Sequence, residues 1–216
     1  MKKLLLIVAC CSIFGFVAQN LRAMIADNVK DQTSAQTVRS MQIESSEQIK
    51  DVIDGEVQQL DELSIHIAEA VDDANEIKEI LAKILEKIDG NTLKKLDLGG
   101  NGLSGHLKKL GLEKFTGLTD LNLQDNDNGI WLGGIFDKLP NLQRLNLQGC
   151  KLFDMPPSIG RLTNLVYLNL SYNLLPKEII SHISKLTGLQ ELLLTHNRIE
   201  PKDLDSYEAL QKIAKF

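Results

Sequence analysis

From residue 93 to residue 199 apolar and polar positions alternate in one recurring string, L-x-x-L-x-L-x-x-N-x-L, with small departures. The first copy is Leu93, Leu96, Leu98, Asn101 and Leu103, and the second is Leu118, Leu121, Leu123 and Asn126. Leu142, Leu145, Leu147, Cys150 and Leu152 make the third; Leu165, Leu168, Leu170, Asn173 and Leu175 make the fourth. The fifth is Leu189, Leu192, Leu194, Asn197 and Ile199. Successive copies start 25, 24, 23 and 24 residues apart. A single string of this kind arises in any leucine-rich helix; five in register mark a repeat.

The L-x-L core has period two, so it predicts a short strand whose leucines face inward while the intervening residues face out. The Asn that follows tolerates the bent backbone at a strand exit, and its amide can bond the backbone of neighbouring coils. Asn101, Asn126, Cys150, Asn173 and Asn197 are therefore expected to stack as a structural ladder. Cys150 holds an asparagine slot and reads as a buried, structural thiol.

Between strands the chain is also regular. Phe115-Thr-Gly-Leu118, Leu139-Pro-Asn-Leu142, Leu162-Thr-Asn-Leu165 and Leu186-Thr-Gly-Leu189 each close one coil and open the next, and Ile135, Ile159 and Ile183 supply a further inward residue. Residues 177–183 predict a short helix, whereas Met155 to Gly160 predicts an extended turn.

Residues 93–200 resemble the leucine-rich repeat family. The run Pro157-Ser-Ile-Gly-Arg-Leu-Thr-Asn-Leu165 resembles the subgroup shared by plant intracellular Ras-group proteins, resistance proteins and bacterial homologues. The resemblance implies an α/β right-handed solenoid with a parallel concave sheet, about five repeats long, used for protein–protein contact. Asn128 stands where the second repeat should have an apolar residue, within the unusual segment Asp125 to Trp131.

A solenoid exposes apolar surface at its ends and needs caps. Leu204, Tyr207, Leu210 and Ile213 predict a capping helix over 201–216. Upstream, Ile53, Val57, Leu60, Leu63, Ile67, Val71, Ala74, Ile77, Leu81, Ile84, Leu85 and Ile88 recur at helical spacing. They predict an amphipathic helical arm and N-terminal cap over 49–90, ending at Asp89-Gly-Asn91. The wide stripe favours packing on the body of the protein, with a dimeric coiled coil as the alternative. Residues 19–48 are polar and read as a linker or weak helix.

Residues 1–18 open with two lysines and continue with 15 uncharged positions, too short to span a bilayer comfortably but suited to a signal-peptide core. A lipid on Cys10, in a lipobox-like Ile7-Val-Ala-Cys10, and an uncleaved anchor are the alternatives. All three readings place the chain outside the cytoplasm. Removal of this segment would leave Cys150 without an intramolecular disulfide partner.

The whole chain carries a net charge of −5. Residues 19–90 hold 7 basic and 16 acidic residues, and residues 91–216 hold 15 and 13. Neither part has the basic stripe of a nucleic-acid binder, and the acidic part would be repelled by an anionic membrane, leaving the N-terminal segment as the membrane contact.

Several motifs hint at chemistry without the context it needs. Gly100-Asn-Gly-Leu-Ser-Gly105 matches G-x-G-x-x-G, but Asn101 and Leu103 already serve the repeat and no βαβ unit follows. Asp125 to Gly129 resembles a calcium loop with its glycine one position early and no final Glu. His66, His106, His182 and His196 lack metal-ligand spacing. No catalytic residue, cofactor or metal is expected.

The outward strand positions are the candidate binding surface. Lys95 and Asp97 come from the first repeat; Asp120, Asn122 and Gln124 from the second; Arg144, Asn146 and Gln148 from the third. Tyr167, Asn169 and Ser171, with Tyr172 beside them, come from the fourth, and Glu191, Leu193 and Thr195 from the fifth. Arg144, Tyr167 and Tyr172 are the expected energetic anchors, because Tyr and Arg dominate measured hot spots. The sequence thus predicts an exported, non-catalytic protein-binding module. The alternative is an envelope tether that oligomerises through its acidic helical arm.

Overall fold

The alternating segments bond side by side, each L-x-L core laid on the next in matching register. The computed structural model describes residues 40–44, 48, 60–67, 74–126 and 130–216, all within the compact unit Arg39–Phe216. In chain order the elements are β1 (Ser40–Ile43), β2 (Glu62–Ile65), α1 (Ala74–Lys87), β3 (Lys95–Asp97) and β4 (Gly105–His106). There follow β5 (Asp120–Asn122), β6 (Ile130–Trp131), β7 (Arg144–Asn146) and β8 (Tyr167–Asn169). The chain closes with α2 (Ile180–Ile183), β9 (Glu191–Leu193), α3 (Glu208–Gln211) and β10 (Ala214–Lys215). Short 3-10 turns, such as Phe136–Lys138 and Pro157–Arg161, fill the return side of the coils.

The main sheet is parallel and has eight strands in the order β1-β2-β3-β5-β7-β8-β9-β10; β4 and β6 form a second, two-stranded sheet. Register aligns Leu63, Leu96, Leu121, Leu145, Leu168 and Leu192 in a single row. Every one of them, together with Leu98, Leu123, Leu147, Leu170 and Leu194 in the next row, is 2% exposed or less. At about 1.5–3 kcal/mol for each fully buried leucine, these two rows are the main stabilising feature of the fold.

The ladder forms as expected. Asn101 accepts the Ile67 N–H at 2.8 Å and donates to Ile65 O at 2.6 Å. Asn126 bonds Leu103 N–H and Leu98 O in the same way, and Asn197 bonds Leu175 N–H and Leu170 O. Asn173 accepts from both Cys150 N–H and Leu152 N–H and donates to Leu147 O and Leu170 O. Cys150 is fully buried, and its thiol donates to Leu123 O at 3.0 Å. Burial pushes that thiol up to about 12, since an apolar site disfavours the thiolate.

Three expectations need correction. Residues 40–43 are strand β1, not linker or weak helix. The arm expected over 49–90 is not one helix: Glu62–Ile65 pairs with β1 and β3, and the helix begins at Ala74. Leu60, Leu63 and Ile67 sit at spacings of three and four, which suits a helix face, yet Leu60-x-x-Leu63-x-Ile65 also fits the repeat, and strand pairing on both sides selects the repeat. The C-terminal segment 201–216 is a 3-10 turn, one helical turn and strand β10, because Ala214 and Lys215 find backbone partners in β9. The sheet therefore carries more strands than the five recognised repeats.

Helix α1 places Ile77, Leu81, Ile84 and Leu85 in the common core, and Ile88 joins them just past its end. Its apolar stripe is used up there, so these residues cannot form a coiled-coil seam. Gly90 follows it closely: a Cβ at this position would lie 2.3 Å from Lys114 O. On the return side Ile159 and Ile183 are buried as expected, while Phe136 rather than Ile135 fills the second coil. Residues 177–183 are helical, as the pattern indicated. The N-terminal segment 1–18, including Cys10, and the stretches 49–59 and 127–129 lie outside the described residues.

Candidate protein-binding surface

Strands β2, β3, β5, β7, β8 and β9 turn their first and third residues away from the leucine rows, and register stacks these residues into columns. The first column runs Glu62, Lys95, Asp120, Arg144, Tyr167 and Glu191. Neighbours in it pair by charge, Lys95 Nζ to Glu62 Oε1 at 2.5 Å and Arg144 Nε to Asp120 Oδ1 at 3.6 Å, and Lys215 Nζ reaches Glu191 Oε1 diagonally from the second column at 2.5 Å. The Glu62 carboxylate, through its hydrogen bond and its charge, holds the Lys95 ammonium above its usual pKa. Arg144 also lies over the Tyr167 ring, with its Cζ 4.2 Å from the ring centroid. Such a cation–π contact contributes about 0.5–1 kcal/mol at an exposed site.

The second column runs Ser64, Asp97, Asn122, Asn146, Asn169, Leu193 and Lys215. Here the side chains bond laterally. Asn122 Nδ2 donates to Asp97 Oδ1 at 2.9 Å, Asn146 Nδ2 to Gln124 Oε1 at 2.7 Å, and Asn169 Nδ2 to Gln148 Oε1 at 3.1 Å. Asp97, Asn122, Asn146 and Asn169 each also accept from the N–H two residues on, at Gly99, Gln124, Gln148 and Ser171. This is a second polar ladder, on the outer side of the strands. Asn169 and Ser171 are 4% exposed, which corrects their expected place on a contact surface. Their polar groups serve the coil itself, so a partner cannot reach them. Leu193 interrupts the ladder and, like Thr195, is half-buried.

Beside the first column, Arg144, Tyr167, Glu191, Lys212 and Lys215 line an open cleft of about 410 Å³ together with Val166, Gln190, Ile213 and Ala214. Among the described residues no group of three or more His, Cys, Asp or Glu side chains could hold a metal ion, and no helix is long and apolar enough to cross a membrane. In the G-x-G-x-x-G run, Asn101 and Leu103 are buried in the coil, and strand β4 begins at its last glycine.

Residues 140–199 match the leucine rich repeat family. The matched coils share their strand register, leucine rows and asparagine ladder with the coils before them. Over these residues the chain is similar to leucine-rich repeat proteins. No curated protein matches it. Leucine-rich repeat domains commonly mediate protein–protein binding and are typically non-catalytic.

This repeat protein has surface features that pattern reasoning missed. Strand β2 adds Glu62, Ser64 and His66 to the outer face; Ser64 Oγ lies 3.2 Å from His66 Nδ1, and His66 Nε2 lies 3.8 Å from Asp97 Oδ1. Recognition of Leu60-x-x-Leu63-x-Ile65 as a coil would have found them. The second feature lies where the chain leaves the strands. The residue before each ladder position is left-handed in all five recognised coils: Gly100 (φ 67°), Asp125 (54°), Gly149 (64°), Tyr172 (57°) and His196 (56°). A left-handed L-residue costs about 1–2 kcal/mol, and glycine escapes most of that. Tyr172 and His196 hold this strained geometry and stack with centroids 4.2 Å apart and planes 10° apart. Tyr172 is 55% exposed, and the nearby Phe153 and Leu174 are 66% and 45% exposed. The sequence signal was two bulky aromatic rings in a turn that other coils make with Gly or Asp.

Proposed function

We propose that this chain is an exported, non-catalytic module that binds another protein through the concave side of its sheet. The observation that carries the reading is the Arg144–Tyr167 pair beside the open cleft. Elsewhere on that face the polar side chains largely satisfy one another. Here a flat aromatic ring, a guanidinium and apolar side chains lie together, the composition that anchors protein interfaces. Lys212 and Lys215 widen the cationic rim, so the partner segment it suits carries an apolar side chain flanked by acidic ones.

Export rests on the Met1–Ala18 segment, with lipidation of Cys10 as the variant of that reading. N-terminal sequencing and mass analysis of the protein recovered from medium and envelope fractions separate the outcomes: a start after Ala18 supports cleavage, and a lipid-modified Cys10 supports anchoring. Binding is tested with Arg144→Ala and Tyr167→Ala in the mature protein, using a partner isolated by crosslinking. A loss of affinity of roughly tenfold or more for each is expected. Unchanged affinity in both removes this surface.

A further inference from the structure

We propose that the strand-exit edge is a self-association surface, at which two copies of the chain pair through Phe153, Tyr172 and Leu174 about a two-fold axis. The proposal does not depend on the function of the cleft. It begins from a mismatch between what the fold needs and what the chain supplies. Glycine makes the left-handed turn before the ladder in two coils, Gly100 and Gly149, so the turn itself does not call for a large ring. Tyr172 and His196 nevertheless occupy it, locked against each other by stacking. Strained backbone of this kind clusters at functional sites, so the outlier points to a role beyond the turn.

Burial points to the same edge. Of the large apolar side chains left exposed among the described residues, Phe153, Tyr172 and Leu174 belong to the coils of β7 and β8, which are neighbours in the sheet. The Leu174 N–H donates to Leu152 O at 2.7 Å, which brings Leu174 alongside the backbone that carries Phe153. The two columns on the outer face of the strands carry no large apolar side chain exposed to the same degree.

Charge distribution selects the occupant. On the exit edge Asp125 belongs to the coil of β5 and Arg198 to the coil of β9, one on each side of the apolar pair of coils, and both are exposed. An isologous contact presents the same patch twice in opposite directions. A two-fold axis between the β7 and β8 coils exchanges those two coils and also exchanges β5 with β9. It sets Phe153 of one copy against Tyr172 and Leu174 of the other, and Asp125 of each against Arg198 of the other. The patch is thus self-complementary in both its apolar centre and its charged flanks. An anionic lipid surface would meet Asp125 and a chain of net charge −5.

The test is sedimentation velocity of the full chain across the micromolar range, with circular dichroism as the check on folding. A concentration-dependent monomer–dimer equilibrium is expected for the native protein. Tyr172→Gly suits this test because glycine is at home in the left-handed turn and leaves the coil intact; it should raise the dimer dissociation constant about tenfold or more. Leu174→Ser should act in the same direction, and Arg198→Glu should weaken pairing most at low salt. A chain that stays monomeric at every concentration overturns the proposal and leaves the edge to a different protein. A dimer indifferent to both Tyr172→Gly and Leu174→Ser overturns it as well, since the contact must then lie elsewhere.

Discussion

The Cys150 thiol donates to the Leu123 carbonyl at 3.0 Å, taking the place that an asparagine amide holds in the neighbouring coils. Asn126 and Asn173, on either side, reach the previous coil's strand carbonyl with Nδ2 and accept a previous-coil N–H with Oδ1. Sulfur supplies a single weak donor and no comparable acceptor. Cys150→Asn is therefore expected to stabilise the protein by about 1 kcal/mol, read as a higher urea midpoint at unchanged m-value. A lower midpoint would show that the slot is too narrow for the amide.

The same thiol gives the protein an alkaline weakness. Its ordinary pKa of 9.0 in the unfolded chain rises to about 12 in the fold. Above pH 9 the unfolded state sheds a proton that the folded state keeps, so ionisation stabilises only the unfolded chain. Stability from this group is complete below pH 9 and falls by at most about 1.4 kcal/mol per pH unit up to about pH 12. Denaturation midpoints for native protein and Cys150→Ala should converge over this window. Alkylation by iodoacetamide at pH 8 should require denaturant.

Asn173 carries the heaviest duty in the ladder, with two backbone donors on its oxygen and Leu147 O and Leu170 O on its nitrogen. Asn173→Ala strands those groups at a site that is 4% exposed. A loss of about 2–4 kcal/mol is expected, larger than that for Cys150→Ala, as measured by urea unfolding.

Gly90 joins α1 to the coil of β3 with no room for a methyl group, since its Cβ would meet the Lys114 carbonyl oxygen at 2.3 Å. That oxygen is backbone and not the end of a flexible side chain. Gly90→Ala should cost about 1–3 kcal/mol in thermal or urea unfolding, unlike Gly100→Ala, where the space is open and only backbone strain opposes the change.

Arg144 and Tyr167 should couple. A double-mutant cycle on folding stability is expected to return about 0.5–1 kcal/mol of interaction energy, only partly screened by salt, because the ring supplies part of the attraction. A coupling of zero would mean that the ring and guanidinium act as independent surface groups.

Sequence alone determined the five coils from Leu93 to Ile199, their inward leucines and their asparagine ladder. Each of those roles repeats at a fixed interval, and a role repeated five times leaves one physical solution. Tertiary structure decided what happens where a residue has two equally good local readings. Leu60, Leu63 and Ile67 suit a helix stripe and a repeat strand alike, and only the free edges of β1 and β3, far away in sequence, make the strand the lower-energy choice. Asn169 and Ser171 look like their exposed counterparts in the string, yet bonds to Gln148 and to the local backbone withdraw them from the surface. Tyr172 and His196 are two residues in separate coils until the stacking of those coils brings their rings together. Periodicity fixes which way a side chain points; contacts between coils fix what it meets there.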